Sequence, residues 1–190
     1  HPLSSVLEWA IARMNSLNAE SVISFSSKTV PIMAVLRKNL LDEKNTQIIY
    51  TGALPASFDA ELLQRVYGYN FELKRVEDVA EITAFDGSTI FVSQQEKNCT
   101  IDSSLNVDFF VNIHPQLGSI LIVKGEQNEG YVSEIQHVRR RETIAMTPAN
   151  CLAALKALVE EPAAEKQNNV EKDKALVLDS IKEITGINTK

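Results

Sequence analysis

Residues 21–36 read SVISFSSKTVPIMAVL. A β-branched and aromatic run (Val22, Ile23, Phe25) meets a polar turn, Ser26-Ser27-Lys28-Thr29. An apolar stretch with helical spacing follows through Ile32, Met33, Val35, Leu36 and Leu40. This is the layout of a phosphate-binding strand–loop–helix, yet the loop holds no glycine. A phosphate cradle aims backbone N–H groups at the anion, usually with Gly where the chain turns close to it. Ser26 and Ser27 reach left-handed geometry only at a cost. Lys28 could supply a charge and Thr29 a hydroxyl. The simpler reading is a helix start, with Thr29 as N-cap and Pro31 in the first turn. It is preferred, and Ser26, Ser27, Lys28 and Thr29 stay anion or nucleotide candidates beside Thr51 and Gly52 at the end of the next strand.

Working outward, SVLEWAIARMNSL reads as a helix capped by Ser4 or Ser5, with Val6, Trp9, Ala10, Met14 and Leu17 at helical spacing. After the turn DEKNT comes the strand QIIYTG, and Gly52 and Pro55 mark a turn. Ser57 or Asp59 starts the helix FDAELLQRVYG, which stops at Gly68, and NFELKRV is extended. Strands alternating with helices of this length imply parallel pairing. The expected fold is a three-layer α/β/α sandwich with a mostly parallel sheet. Further on, EITAF and STIFVSQ flank Asp86-Gly87, a hairpin dipeptide. VDFFVNIH and SILIVKG are buried-strand runs separated by Pro115 and Gly118. Residues 129–140 read as a helix and RETIAM as a last strand. Thr147 caps a helix that begins at Pro148. The domain is expected over 1–160, a polar linker or loop over 161–173, and an amphipathic helix over 174–187 through Leu176, Ile181 and Ile184 that stops at Gly186. That helix docks on this domain or on a partner.

LEWAIARM, SVISFSSKTVPIMAVLRK and IIYTGALPASFDAELLQRVYGYNFELKRV together resemble the first half of the adenine-nucleotide α-hydrolase fold. PP-loop ATP pyrophosphatases and phosphoadenylyl-sulfate reductases run in the same order. The resemblance covers residues 7–76. It implies a nucleotide-binding scaffold with its loop at Ser26–Thr29 and a second contact at Thr51-Gly52. The family loop carries Gly and Asp, which are absent here. Tyr50 stands where the family has an acid, and no reductase-like cysteine motif closes the chain. These departures point away from pyrophosphatase and reductase activity.

With 44% apolar and 23% charged residues, the chain has the composition of an ordinary globular protein. Its net charge of −6 argues against nucleic-acid binding by bulk electrostatics. Cys99 and Cys151 lie far apart and without zinc-ligand spacing, so no metal site is expected. Two reduced thiols place the chain in the cytoplasm, or the nucleus. Asn98-Cys99-Thr100 fits a glycosylation sequon, a pattern common by chance. No apolar run is long enough for a membrane span, and the start lacks the features of a signal peptide. His1-Pro2 reads as a vector remnant or a cut site inside a longer protein.

His114 ends an apolar strand, where open α/β sheets place ligand groups. Asp108 and Asn112 stand at even offsets from it, so Asp108, Asn112 and His114 form a second candidate site against the plainer reading of a strand-end histidine in a turn. Arg139, Arg140 and Arg141 could bind phosphate, an acidic partner or RNA. Consecutive helical residues diverge, however, and Glu134 offers ordinary ion pairing. Glu77, Asp78 and Glu81 are clustered carboxylates best read as an exposed helix start. The polar loop 125–130 lacks a dinucleotide fingerprint.

The preferred function is a non-catalytic, nucleotide-binding-like α/β domain that acts through another protein or through the rest of a larger chain. One alternative is an enzyme that binds a nucleotide or phosphorylated metabolite at the carboxyl ends of the parallel strands. Another is an RNA-binding or tRNA-modification accessory domain, through Arg139–Arg141. No cofactor is assigned, a nucleotide being the one left open.

Overall fold

The structure is a computed structural model that describes residues 2–96, 99–160 and 170–185. Six strands form one sheet: β1 (Val22–Phe25), β2 (Thr46–Tyr50), β3 (Phe71–Arg75), β4 (Ser88–Gln94), β5 (Phe109–His114) and β6 (Gly118–Val123). Their order is β1-β6-β5-β4-β2-β3. The β2–β3, β2–β4 and β4–β5 pairs are parallel. The β1–β6 and β5–β6 pairs are antiparallel. Among the described strands only β6 therefore runs against the rest, and the carboxyl ends of the other five share one edge.

Helices α1 (Pro2–Met14), α5 (Pro148–Glu160) and α6 (Val170–Thr185) cover one face. Helices α2 (Val30–Leu41), α3 (Ala60–Arg65) and α4 (Glu129–Arg141) cover the other. The expected three-layer α/β sandwich with a mostly parallel sheet is the fold observed. The strand period sorts side chains between two cores: Phe109, Val111 and Ile113 face α2 and α4, whereas Phe110 faces α1 and α5. On α2, Ile32, Val35, Leu36 and Asn39 recur at i, i+3, i+4 and i+7 and are buried. Each fully buried aliphatic side chain contributes about 1.5–3 kcal/mol. Asn39 is satisfied there, donating to Thr46 Oγ1 at 2.8 Å and accepting from the Tyr131 hydroxyl of α4.

Four expectations need correction. The strand expected at EITAF is a single 3-10 turn, Val79–Glu81, followed by irregular chain. Both sides of β4 are taken by β2 and β5, so no hairpin partner fits beside it. Gly87 is needed for close approach instead: a Cβ there would lie 2.4 Å from Asn45 O. RETIAM forms only one bridge, Ala145 to Phe25, because Ile144 packs in one core and Met146 in the other. The chain is crossing the sheet edge there. Helix α1 starts at Pro2, and Ser4 is buried inside it. Helix α6 starts at Val170, inside the stretch read as linker, and docks through Val177 and Ile181 against the α1 and α5 core. The remaining linker residues 161–169, the stop at Gly186, His1 and the sequon residue Asn98 lie outside the described residues.

Candidate functional site

The carboxyl-end edge gathers the loop after β1, the turn after β2, the chain after β4 and the β5–β6 hairpin. The first of these is the stretch SSKT. Its backbone contains no left-handed residue. The Ser27 hydroxyl accepts from Thr29 N at 3.2 Å and Val30 N at 3.1 Å, so it caps α2. Thr29 occupies the N-cap position but makes no side-chain cap bond. The cap that the sequence places at Thr29 is thus supplied two residues earlier. Lys28 donates to the Pro115 carbonyl, and the Ser119 hydroxyl donates to the Ser27 carbonyl. Ser26 N donates to Ile144 O at 2.8 Å. The loop is stitched to the β5–β6 hairpin and to the segment after α4.

Thr51 and Gly52 lie elsewhere on this edge. Three strands stand between β1 and β2, which at about 4.8 Å per strand is roughly 19 Å. Gly52 has φ +68 and turns the chain out of β2, where the Gln94 side chain holds Ala53 O at 2.9 Å. The fold therefore does not bring Ser26–Thr29 and Thr51-Gly52 together.

It does bring His114 to the SSKT loop. His114 Nδ1 accepts from Gln116 N and Leu117 N, each at 3.1 Å, and so organises the hairpin turn. Asn112 lies two residues before it on the same face. Its Oδ1 accepts from the Ser93 hydroxyl of β4 at 2.6 Å, while its buried Nδ2 has no partner. Asn112 and His114 line a cavity of about 50 Å³, together with Gln95, Glu96, Met146 and Leu158. The walls are mostly apolar, and the space suits a water or two rather than a drug-sized ligand. Asp108 is absent from this group. It stands at the opposite end of β5, roughly 20 Å away at about 3.3 Å per residue. There it accepts from Thr89 N at 2.8 Å and Asn128 Nδ2 at 3.0 Å, fixing the start of two strands and the turn before α4.

The three arginines part company. Arg139 turns inward and pairs with Glu8 of α1, also donating to Ser24 O at 3.1 Å and Gln136 at 2.7 Å. Arg140 is exposed, and Arg141 pairs with its neighbour Glu142 at 2.9 Å. Glu8 accepts in addition from Ser24 N at 2.8 Å and Ser24 Oγ at 2.7 Å. Sequence reasoning missed Glu8. The available signal was a lone carboxylate on the apolar helix between Leu7 and Trp9. Of the EDVAEI carboxylates, Glu81 accepts from the Glu77 and Asp78 backbones, and Asp78 from Ala80 N, forming a capping box.

Neither cysteine takes part in a disulfide. Burial, then the Glu8 carboxylate, pushes the Cys151 thiol up to about 11, which suppresses its nucleophilicity near neutral pH. Among the described residues no group of His, Cys, Asp and Glu could hold a metal ion, and no helix is long and apolar enough to cross a membrane.

No family model matches the sequence, and no curated protein does. Solved structures share the fold. A putative L-allo-threonine aldolase from Listeria monocytogenes EGD-E is 11% identical with a TM-score of 0.52, over 98% of this chain and 63% of that one. A putative aminotransferase from Silicibacter pomeroyi is 12% identical with a TM-score of 0.51, over 90% of this chain and 58% of that one. The PLP-dependent cyclase OrfR is 12% identical at a TM-score of 0.47, over 95% and 55%. The chain spans less than two thirds of the length of each of these three. At such identities the likeness is one of fold, that of three-layer α/β domains with a mostly parallel sheet.

Proposed function

We propose that this chain is a non-catalytic α/β domain that works by binding protein, either another chain or further parts of a larger one. One observation carries the reading. Several polar groups singled out as ligand candidates are engaged internally: at the carboxyl-end edge Ser27 caps α2, Lys28 holds Pro115 and His114 holds two amides, and at the outer edge of β1 Arg139 holds Glu8. The cavity lining contains no Lys, Asp or Arg, and Lys28 is committed to the Pro115 carbonyl.

A second reading is favoured by Asn112. A buried amide donor without a partner in a cavity is a group waiting for an acceptor. It supports a small polar ligand at the ends of β4 and β5, on the scale of the cavity of about 50 Å³, and so an enzyme or binding site at that edge. The test is a thermal-shift panel of nucleotides and phosphorylated metabolites, with and without Mg²⁺, on wild type and Lys28→Ala. Saturation at about 100 times the dissociation constant adds roughly 2.7 kcal/mol, a shift of a few degrees. No shift is expected. A nucleotide shift lost in Lys28→Ala would overturn the non-catalytic reading, and a shift lost in Asn112→Leu instead would establish the second.

A further inference from the structure

The two edges of the sheet are treated differently. At β1 the outward backbone groups are taken: Ser24 N by Glu8, Ser24 O by Arg139, and Ser26 N by Ile144 O. At the other end, β3 has no strand on its outer side among the described residues. Val76 N donates to Tyr50 O at 3.0 Å. Alternate residues of a parallel ladder face opposite neighbours. Residues 72 and 74 therefore turn to β2, and Phe71, Leu73 and Arg75 turn their N–H and C=O groups outward. The Phe71 carbonyl takes the Gln64 amide at 2.9 Å, and its second lone pair stays open. Leu73 is 40% exposed. Leu62, Val66 and Tyr67 are exposed on and after α3, which packs against the same face of the sheet as Leu73.

An open edge with an apolar centre is a template for another strand. The charges on β3 select which. The strand reads Phe71-Glu72-Leu73-Lys74-Arg75. When two copies pair antiparallel about a two-fold at Leu73, Glu72 of each falls opposite Lys74 of the other. A slip of two residues either way sets Glu72 against itself or Lys74 against itself, which is repulsive. The same parity makes Leu73 and Leu73 exchange both backbone hydrogen bonds. The edge is thus self-complementary in one register and self-repelling in its neighbours.

We propose that two copies of this chain join through β3, antiparallel about Leu73, making one continuous twelve-stranded sheet. The inference rests on the protein-binding reading and names its partner. Sedimentation equilibrium from about 1 to about 200 µM tests it, a span that captures modest dimers. Wild type is expected to reach twice its 21.1 kDa mass. Glu72→Lys and Lys74→Glu should each weaken association roughly tenfold or more, and the double exchange should restore it. Leu73→Pro should abolish it while the monomer keeps its far-UV circular dichroism, because that outward N–H serves no internal bond. Hydrogen exchange over 71–75 should slow with concentration in wild type. A wild type monomeric throughout overturns the pairing, as does a dimer indifferent to the charge exchanges. Neither result touches the protein-binding reading, which stands or falls on the ligand panel.

Discussion

Glu8 and Arg139, 131 residues apart in sequence, meet at the outer edge of β1. Glu8 comes from α1 in one layer and Arg139 from α4 in the other, so the pair wraps round the sheet. The carboxylate accepts the Ser24 N–H and the guanidinium donates to the Ser24 carbonyl, much as a neighbouring strand would. Their side chains are only 10% and 14% exposed. The arginine run therefore gives one residue to architecture, which leaves Arg140 and Arg141 as its solvent-facing members.

Breaking this pair by Glu8→Ala or Arg139→Ala leaves a buried charge alone and should cost about 3–5 kcal/mol, read as a shift in urea midpoint. Glu8→Met with Arg139→Met removes both charges but leaves Ser24 N–H and C=O unpaired. It should stay about 1–3 kcal/mol below wild type. Full recovery in the double variant would show that the pair does not serve the β1 backbone.

Ser27→Ala should destabilise the protein by about 1 kcal/mol, the worth of an N-cap, and Thr29→Ala by no more than about 0.5 kcal/mol. Denaturant titrations of the two variants decide it, and the reverse ranking would return the cap to Thr29.

Gly118 closes the β5–β6 hairpin at φ +123, and a Cβ there would lie 2.1 Å from Phe25 O. Gly118→Ala should cost at least about 2–3 kcal/mol, since backbone and not a flexible side chain must move. Gly52→Ala meets nothing within 4 Å at φ +68 and should cost only about 1 kcal/mol. Paired thermal melts compare them.

Cys151 gives a pH signature. Its folded thiol titrates at about 11, against 9.0 for the ordinary group. The folded state keeps a proton that the unfolded state releases, so this contribution is complete below about pH 9 and is lost as pH rises towards 11. The loss is on the order of 2–3 kcal/mol. The difference in unfolding free energy between wild type and Cys151→Ala should shrink across that window. A flat difference would mean that the thiolate is tolerated in place. Alkylation of Cys151 in the folded protein should also be slow near pH 8.

Much of the architecture was legible in the chain. SVISF, QIIYTG, NFELKRV, VDFFVNIH and SILIVKG announce strands by their β-branched runs, and the helices between them by spacing and caps such as Asp59 and Thr147. Those signals are local, and local hydrogen bonding and side-chain period suffice to produce them. EITAF had a local signal too and failed, because a strand also needs a free neighbour and β4 had none.

The candidate site was less legible. Its residues were identified by type, but which of them meet depends on strand order. Asp108 and His114 share a strand and sit at opposite ends of it, whereas Lys28 and Pro115 are far apart in sequence and touch. By itself the sequence determined the layers, the elements and the polar residues that end the strands, because period and capping are encoded within a few residues. Only the tertiary structure decided that β1 lies beyond β6, that Glu8 and Arg139 seal its edge and that β3 is left open among the described residues. Those outcomes follow from long-range pairing, in which each backbone group must find a partner wherever the chain has placed one.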